Sequence, residues 1–154
     1  MNYMKMINFL EVSPKKSISR FIYRESEEIS SFDIARLAPF YSVIEAIFQT
    51  AGAVARAFTE NKKGGYIVNF SNLKLKRPVM MDELIIITAN FISYSERQEC
   101  FFLKTELKTA LENDILVNGC DLIIKQDKSI TTGKLNNIKK VNNQEYLLSL
   151  GFGE

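Results

Sequence analysis

Glu45 and Gln49 stand four residues apart inside a stretch, Phe40–Phe58, whose apolar residues recur with a helical period. At that spacing the two side chains are neighbours on one face of a helix. A carboxylate steadied by an amide one turn away has the makings of a general base or a nucleophile. In helical projection Ser42, Arg56 and Glu60 fall on the same side, so this face is either an ordinary polar surface or a site. The chain contains no histidine. That count removes the usual neutral-pH acid/base group, the commonest zinc ligand and every serine–histidine or cysteine–histidine dyad at once. Cys100 and Cys120 lie in strand-like apolar contexts without the paired spacing of a metal knuckle or redox motif and read as core thiols. No cofactor or metal is implied.

These residues need a scaffold, and 154 residues suit one domain with a real core. The balance of 46% hydrophobic to 25% charged residues is that of an ordinary globular chain. Its apolar runs fall far short of the ~20 residues of a membrane helix. A net charge of +2 is too small for a nucleic-acid binder. Lys15-Lys16, Lys62-Lys63 and Lys139-Lys140 read as turn or tail residues, or as a shallow positive surface for an acidic carrier protein. The first residues lack a basic segment followed by an apolar stretch and a small-residue cleavage site, so the expected location is cytoplasmic.

Residues 6–12 and 17–24 read as strands joined at Ser13 to Lys16, a hairpin that places Ile18, Arg20, Ile22 and Arg24 on one face. Pro39 suits the first turn of the helix that follows, since its missing N–H has no intrahelical partner there. From Phe40 to Phe58 the period runs unbroken through Val43, Ile44, Ile47, Phe48, Ala51, Val54 and Ala55. Ala46, Gly52, Ala53 and Ala57 add small residues on other faces, so a mostly buried helix is expected, with Tyr41, Phe48 and Phe58 in the core. Four strands follow, over residues 66–75, 83–93, 98–110 and 115–125, rich in β-branched and aromatic residues. The helix and the strands have similar lengths, ~28 Å and ~33 Å. An antiparallel sheet curled round one long helix meets both requirements: the expected class is α+β, with a hot-dog fold. Residues 1–126 form that domain; residues 127–154 form a polar extension, partly loose, with a possible short terminal helix.

The run Ser31, Phe32, Asp33, Ile34, Ala35, Arg36, Leu37, Ala38, Pro39, Phe40, through Glu45, Ala46, Gln49 and Gly52, resembles the 3-hydroxyacyl-ACP dehydratases, whose helix-start motif reads roughly HFPGHPxMPGxLxxEAxxQxxG. Phe32, Pro39, Glu45, Ala46, Gln49 and Gly52 fall in register without a gap, and Arg77-Pro78-Val79 is similar to the family's R-P-V. The resemblance covers some three-quarters of the chain, to about Gln126. It implies a dimer in which a histidine and a carboxylate from opposite subunits eliminate water from a 3-hydroxyacyl thioester, while backbone N–H groups near the helix start polarise the carbonyl. By register Glu45 is the carboxylate and Ser31 stands at the histidine. Ala35 replaces the second histidine, bulky Phe40 replaces a glycine near the helix start, and Met80-Met81-Asp82-Glu83 replaces the P-G-D turn. Phe32, Phe40, Tyr41 and Arg77 are the substrate-facing candidates that the resemblance supplies.

Serine has no basic form near neutral pH, and losing a positioned general base costs about 10²- to 10⁴-fold in rate. Three readings therefore stand. The chain binds acyl-ACP or acyl-CoA and completes a site with a histidine-bearing paralogue in fatty-acid, polyene or polyketide synthesis; it is an acyl-CoA thioesterase using Glu45, with Gln49 and Ser31; or it is a non-enzymatic acyl-binding or assembly subunit. All three expect an acyl-carrier protein or coenzyme A thioester as partner, and a homodimer or a heterodimer with another hot-dog subunit.

Overall fold

In the computed structural model of the protein, residues 7–24, 36–60, 62–127 and 140–152 are described. Two strands, β1 (Ile7–Val12) and β2 (Lys16–Phe21), precede the helix α1 (Phe40–Phe58). Four more follow, β3 (Gly64–Ser71), β4 (Ile85–Ser95), β5 (Cys100–Thr109) and β6 (Ile115–Asp127), and then a short helix, α2 (Asn143–Ser149). The strands form one antiparallel sheet in the order β1-β2-β4-β5-β6-β3. This is the expected α+β hot-dog fold: one long helix against a sheet whose last-placed strand, β3, directly follows it in sequence. Among the described residues no helix is long and apolar enough to cross a membrane.

The helix forms where its period says it should. Val43, Ile47, Ala51 and Val54 are buried at spacings of three and four residues, a stripe that a sheet can cover. They share one core with Ile85, Ile87 and Ala89 of β4, Phe101, Leu103 and Leu107 of β5, and Leu122 and Ile124 of β6. Burying such side chains is worth ~1.5–3 kcal/mol each. Pro39 occupies the N-cap, one position before the first turn assigned to it above, with no side-chain cap bond. Most of the helix is buried or half-buried, as expected, but two of the aromatics assigned to the core are exposed, a correction: Tyr41 is 70% exposed and Phe58, in the last turn, 42%. Tyr41 stands on the side of the helix turned away from the middle strands of the sheet. Phe58 instead meets Phe91, Tyr94 and Phe101 in an aromatic cluster, with ring centroids 5.0–6.2 Å away.

Polar groups close the seam between β2 and α1. Ser19 Oγ and Thr50 Oγ1 lie 2.6 Å apart, both buried. Thr50 spends its one proton on the Ala46 carbonyl at 2.8 Å, so Ser19 is the donor to Thr50. Cys100 and Cys120 are buried free thiols, as expected. The strand expected over residues 66–75 is shorter and earlier: β3 ends at Ser71, and Asn72 turns the chain out of the ladder with φ +62°.

Arg20 departs most from its appearance in sequence. It is fully buried. Its Nε donates to Asn8 Oδ1 at 3.0 Å, and Nη1 donates to the Val141 carbonyl at 2.8 Å and Asn143 Oδ1 at 3.2 Å. The guanidinium lies 4.1 Å from the centre of the Tyr146 ring. Desolvation pulls its pKa down, yet an arginine stays charged at neutral pH. One side chain thus ties the hairpin to α2, whose Tyr146 also packs with Ile22 and Leu84. Replacing Arg20 with Met keeps the packing and removes the donors, leaving buried acceptors unmet at ~1–3 kcal/mol each. The expected result is a clear fall in the denaturant midpoint, with faster amide exchange in Asn143–Ser149 than in α1. Equal protection of α2 in both proteins would break the link between Arg20 and that helix.

Candidate functional site

The side of α1 that faces the edge strand β3 carries the polar cluster. Glu45 and Gln49 are half-buried there, and Gln49 Nε2 donates to Glu45 Oε1 at 3.1 Å. The two expected partners are therefore in contact. Ser42, on the same side in projection, is buried instead, donating to the Pro39 carbonyl at 2.7 Å. Serine at that position closes the first turn and takes no part in the site.

Glu45, Phe48, Gln49, Gly52, Ala55 and Arg56 form one wall of a cavity of about 310 Å³; Gly64, Gly65, Tyr66 and Ile67 of β3, with Ile124 of β6, form the other. Two glycines shape it differently. A Cβ on Gly65 would come within 2.6 Å of the Lys125 carbonyl oxygen, so only glycine lets β3 lie this close to β6. A Cβ on Gly52 would meet nothing within 4 Å, so Gly52 keeps the helix wall open without any demand from its own chain. Arg56, at the far end of the wall from Glu45, is half-buried, and desolvation lowers its pKa. Phe48 of this wall and Phe70 of β3 lean together with ring centroids 5.5 Å apart. Sequence reasoning placed Arg56 on this face but did not bring Tyr66, Ile67 and the Gly64-Gly65 pair to it, since the glycines read only as a helix stop.

A second, more apolar cavity of about 480 Å³ lies at the start of α1, lined by Leu37, Ala38, Pro39, Phe40, Val43, Leu75, Arg77, Pro78 and Val79. Phe40 is 51% exposed, so it stands as a wall of this space. Tyr41 lines neither cavity. Ser31 and Phe32 lie outside the described residues. Arg77, a substrate-facing candidate by resemblance, sits in the loop after β3, where its fork grips Glu83 at 2.9 Å and 2.6 Å and the Pro78 carbonyl at 2.9 Å. That loop is laced to the approach to α1 by Ala38 N–H donating to the Val79 carbonyl at 2.8 Å and Met81 N–H to the Arg36 carbonyl at 2.9 Å. Arg77 therefore braces the loop that walls the second cavity. Among the described residues no cluster of three or more histidine, cysteine or carboxylate side chains is placed to hold a metal ion.

No protein-family model matches the sequence, and no curated protein matches it. Solved structures do resemble this one. A protein of Streptococcus mutans UA159, smu.793, bound to acetyl CoA, superposes with a TM-score of 0.63 at 8% identity, over 83% of this chain and 91% of that one. A hypothetical thioesterase protein with coenzyme A from Streptococcus pneumoniae TIGR4 gives 0.65 at 8% identity, over 84% and 90%. Zebra fish thioesterase superfamily member 2 gives 0.64 at 11%, over 80% and 83%. At such identities the likeness is one of fold, the hot-dog fold, and it covers more than four-fifths of each of these structures.

The brace at Arg77 has a pH signature. Arg77 holds the Glu83 carboxyl below the usual carboxylate range, helped by the Met80 N–H donated at 3.1 Å. A carboxyl depressed in the folded state contributes stability above its unfolded pKa of ~4.3 and loses it as pH falls through the lower folded value. Glu83→Gln is therefore expected to lower Tm at pH 7, with the gap from the parent protein narrowing as the pH drops below about 4. A gap of constant size across a pH 7 to pH 3 melting series would show that the charge on Glu83 contributes nothing.

Proposed function

We propose that this chain binds acyl thioesters between α1 and β3 and hydrolyses them with Glu45 as general base. The observation that carries the reading is the Glu45–Gln49 pair in the wall of a cavity between α1 and the edge strand β3. Hydrolysis needs a single base to take a proton from water as its oxygen attacks the thioester carbon; collapse of the tetrahedral adduct then expels the thiolate, which takes up a proton. Gln49 holds the carboxylate in place by donating to it. The uncapped start of α1 supplies backbone N–H donors of the kind that steady a carbonyl oxygen gaining charge. The resemblance of the fold to proteins holding coenzyme A or acetyl CoA supports the ligand class.

A second reading has its own support: the register of Phe32, Pro39, Glu45, Ala46, Gln49 and Gly52 with the dehydratases, which leaves Ser31 where a histidine belongs. In that reading a histidine-bearing hot-dog partner completes the site and Glu45 handles the leaving hydroxyl of a 3-hydroxyacyl-ACP. A non-enzymatic acyl carrier remains the outcome if neither reaction occurs. Release of free thiol from acyl-CoA tests the first reading, and loss of water from a 3-hydroxyacyl-ACP tests the second. Hydrolysis by the purified chain, falling about 10²- to 10⁴-fold in Glu45→Gln, is the expected result. Hydrolysis that survives in Glu45→Gln removes Glu45 from the mechanism, and dehydration seen only with a co-purified hot-dog subunit selects the second reading.

The second reading requires another subunit, and β3 offers a place for one in either case. It pairs with β6 on one side only, and Tyr66, Val68 and Phe70 are each nearly half exposed beside it. A long apolar strand with an open edge is a template for pairing. We expect two copies to join through β3, laying the open faces of their helices together. Val68→Asp combined with Phe70→Lys should convert a dimer to a monomer in sedimentation equilibrium without loss of the far-ultraviolet signature; a dimer that survives both changes would place the interface elsewhere.

A further inference from the structure

Gly52 and Gly65 line the cavity beside Glu45 from its two walls, and they stand there for different reasons. Gly65 is demanded by its own chain, since a Cβ there would run into the Lys125 carbonyl oxygen. Gly52 is not. It lies in the interior of α1 without a positive φ, and a Cβ on it would touch nothing within 4 Å, so alanine would fit there without strain. Glycine in a helix interior is destabilising relative to alanine because it gives up the most backbone freedom on folding. The helix is weaker for Gly52, and no contact within the chain offsets that.

Resting on the thioester reading above, we propose that Gly52 sets the acyl chain length this site accepts, by leaving bare helix backbone where the apolar tail of the substrate passes. Three observations argue for the tail. Gly52 lies two turns beyond Glu45, ~10 Å along the helix, and an extended chain advancing ~1.3 Å per bond arrives there at about its eighth carbon. The walls around Gly52 are apolar, with Ala55 and Ile124 belonging to the core and Phe48 and Ile67 packing against it. The space also reaches below the surface, since Ala55 is 3% exposed and Ile124 2%. A second copy joined through β3 would roof it from outside and leave that floor in place. Arg56, a polar member of the same wall, is engaged within the chain and makes no demand on the ligand. A methyl group at position 52 would stand in the tail's path.

The test uses the full chain and non-hydrolysable S-butyl and S-decyl thioethers of coenzyme A, each titrated calorimetrically. The butyl chain stops short of Gly52 and the decyl chain passes it. In the parent protein the decyl ligand is expected to bind on the order of a hundredfold more tightly, because the longer tail buries more methylenes. Gly52→Ala should cut that preference by about tenfold and Gly52→Leu should erase it, while Gly52→Ala raises Tm by roughly 1–4 °C through its better helix propensity. The rise in Tm separates a blocked path from a damaged fold. A preference that stays the same in both variants overturns the proposal and leaves the thioester reading standing. An equal loss of affinity for both ligands also overturns it, by putting the pantetheine arm at Gly52. So does a dimer that dissociates in sedimentation equilibrium with the preference intact, which would put the second copy there instead. If neither ligand binds the parent protein, the thioester reading itself fails.

Discussion

The seam between the apolar stripe of α1 and the concave side of the sheet is the contact on which everything else depends. A nineteen-residue helix standing alone is marginal in water, so its stability comes from the face it buries. Val43, Ile47, Ala51 and Val54 make that face and the middle strands of the sheet receive it. Because a helix is rigid, burying one side fixes the other: Glu45, Gln49 and Arg56 are turned outward by the same contacts that pull Ile47 and Val54 inward. The small residues along the seam, Ala46, Ala51 and Ala53, together with Ser17 and Ser19 of β2, are all buried and let backbone approach backbone. The polar face is therefore held by the core at a set distance from β3, whose own closeness to β6 needs Gly65.

That dependence explains what could be read from sequence. The periodic stretch Phe40 to Phe58 matches the helix, with only Pro39 falling outside it at the N-cap, because a period of three and four residues drifts off the face as soon as it is misplaced. Glu45 and Gln49 came with it, since their contact is fixed by the helix alone. Strand ends were less readable. Residues 72–75 continue the alternation of β3, and Leu73 and Leu75 still pack against the core, yet the ladder has stopped at Ser71. Alternation records which side chains find the core; it does not record which backbone groups find a partner strand.

Two other features were hidden for a different reason. Arg20 reads only as one member of a strand face shared with Ile18, Ile22 and Arg24, and its burial depends on Val141, Asn143 and Tyr146, which reach it from more than a hundred residues along the chain. Tyr41 and Phe58 read as core because an aromatic on an apolar helix usually is. The same hydrophobicity serves a surface covered by another molecule, and only the sheet's reach tells the two apart. Exposed Tyr41 on α1 and Tyr66, Val68 and Phe70 on β3 form the border of the face that bears Glu45.

The missing histidine then limits the chemistry in a specific way. Dehydration of a 3-hydroxyacyl group asks for two proton transfers at neighbouring carbons, one from C2 and one to the departing oxygen, and a carboxylate cannot hold both positions in a single chain. Thioester hydrolysis asks for one base and a supply of water, and the thiolate leaves without an acid of its own because a thiol is far more acidic than an alcohol or a water molecule. A face with one carboxylate, a steadying amide and an open slot satisfies the second list and fails the first. The balance between the two reactions therefore turns on how much of the site one chain can build. In this chain the helix carries all that it can carry alone.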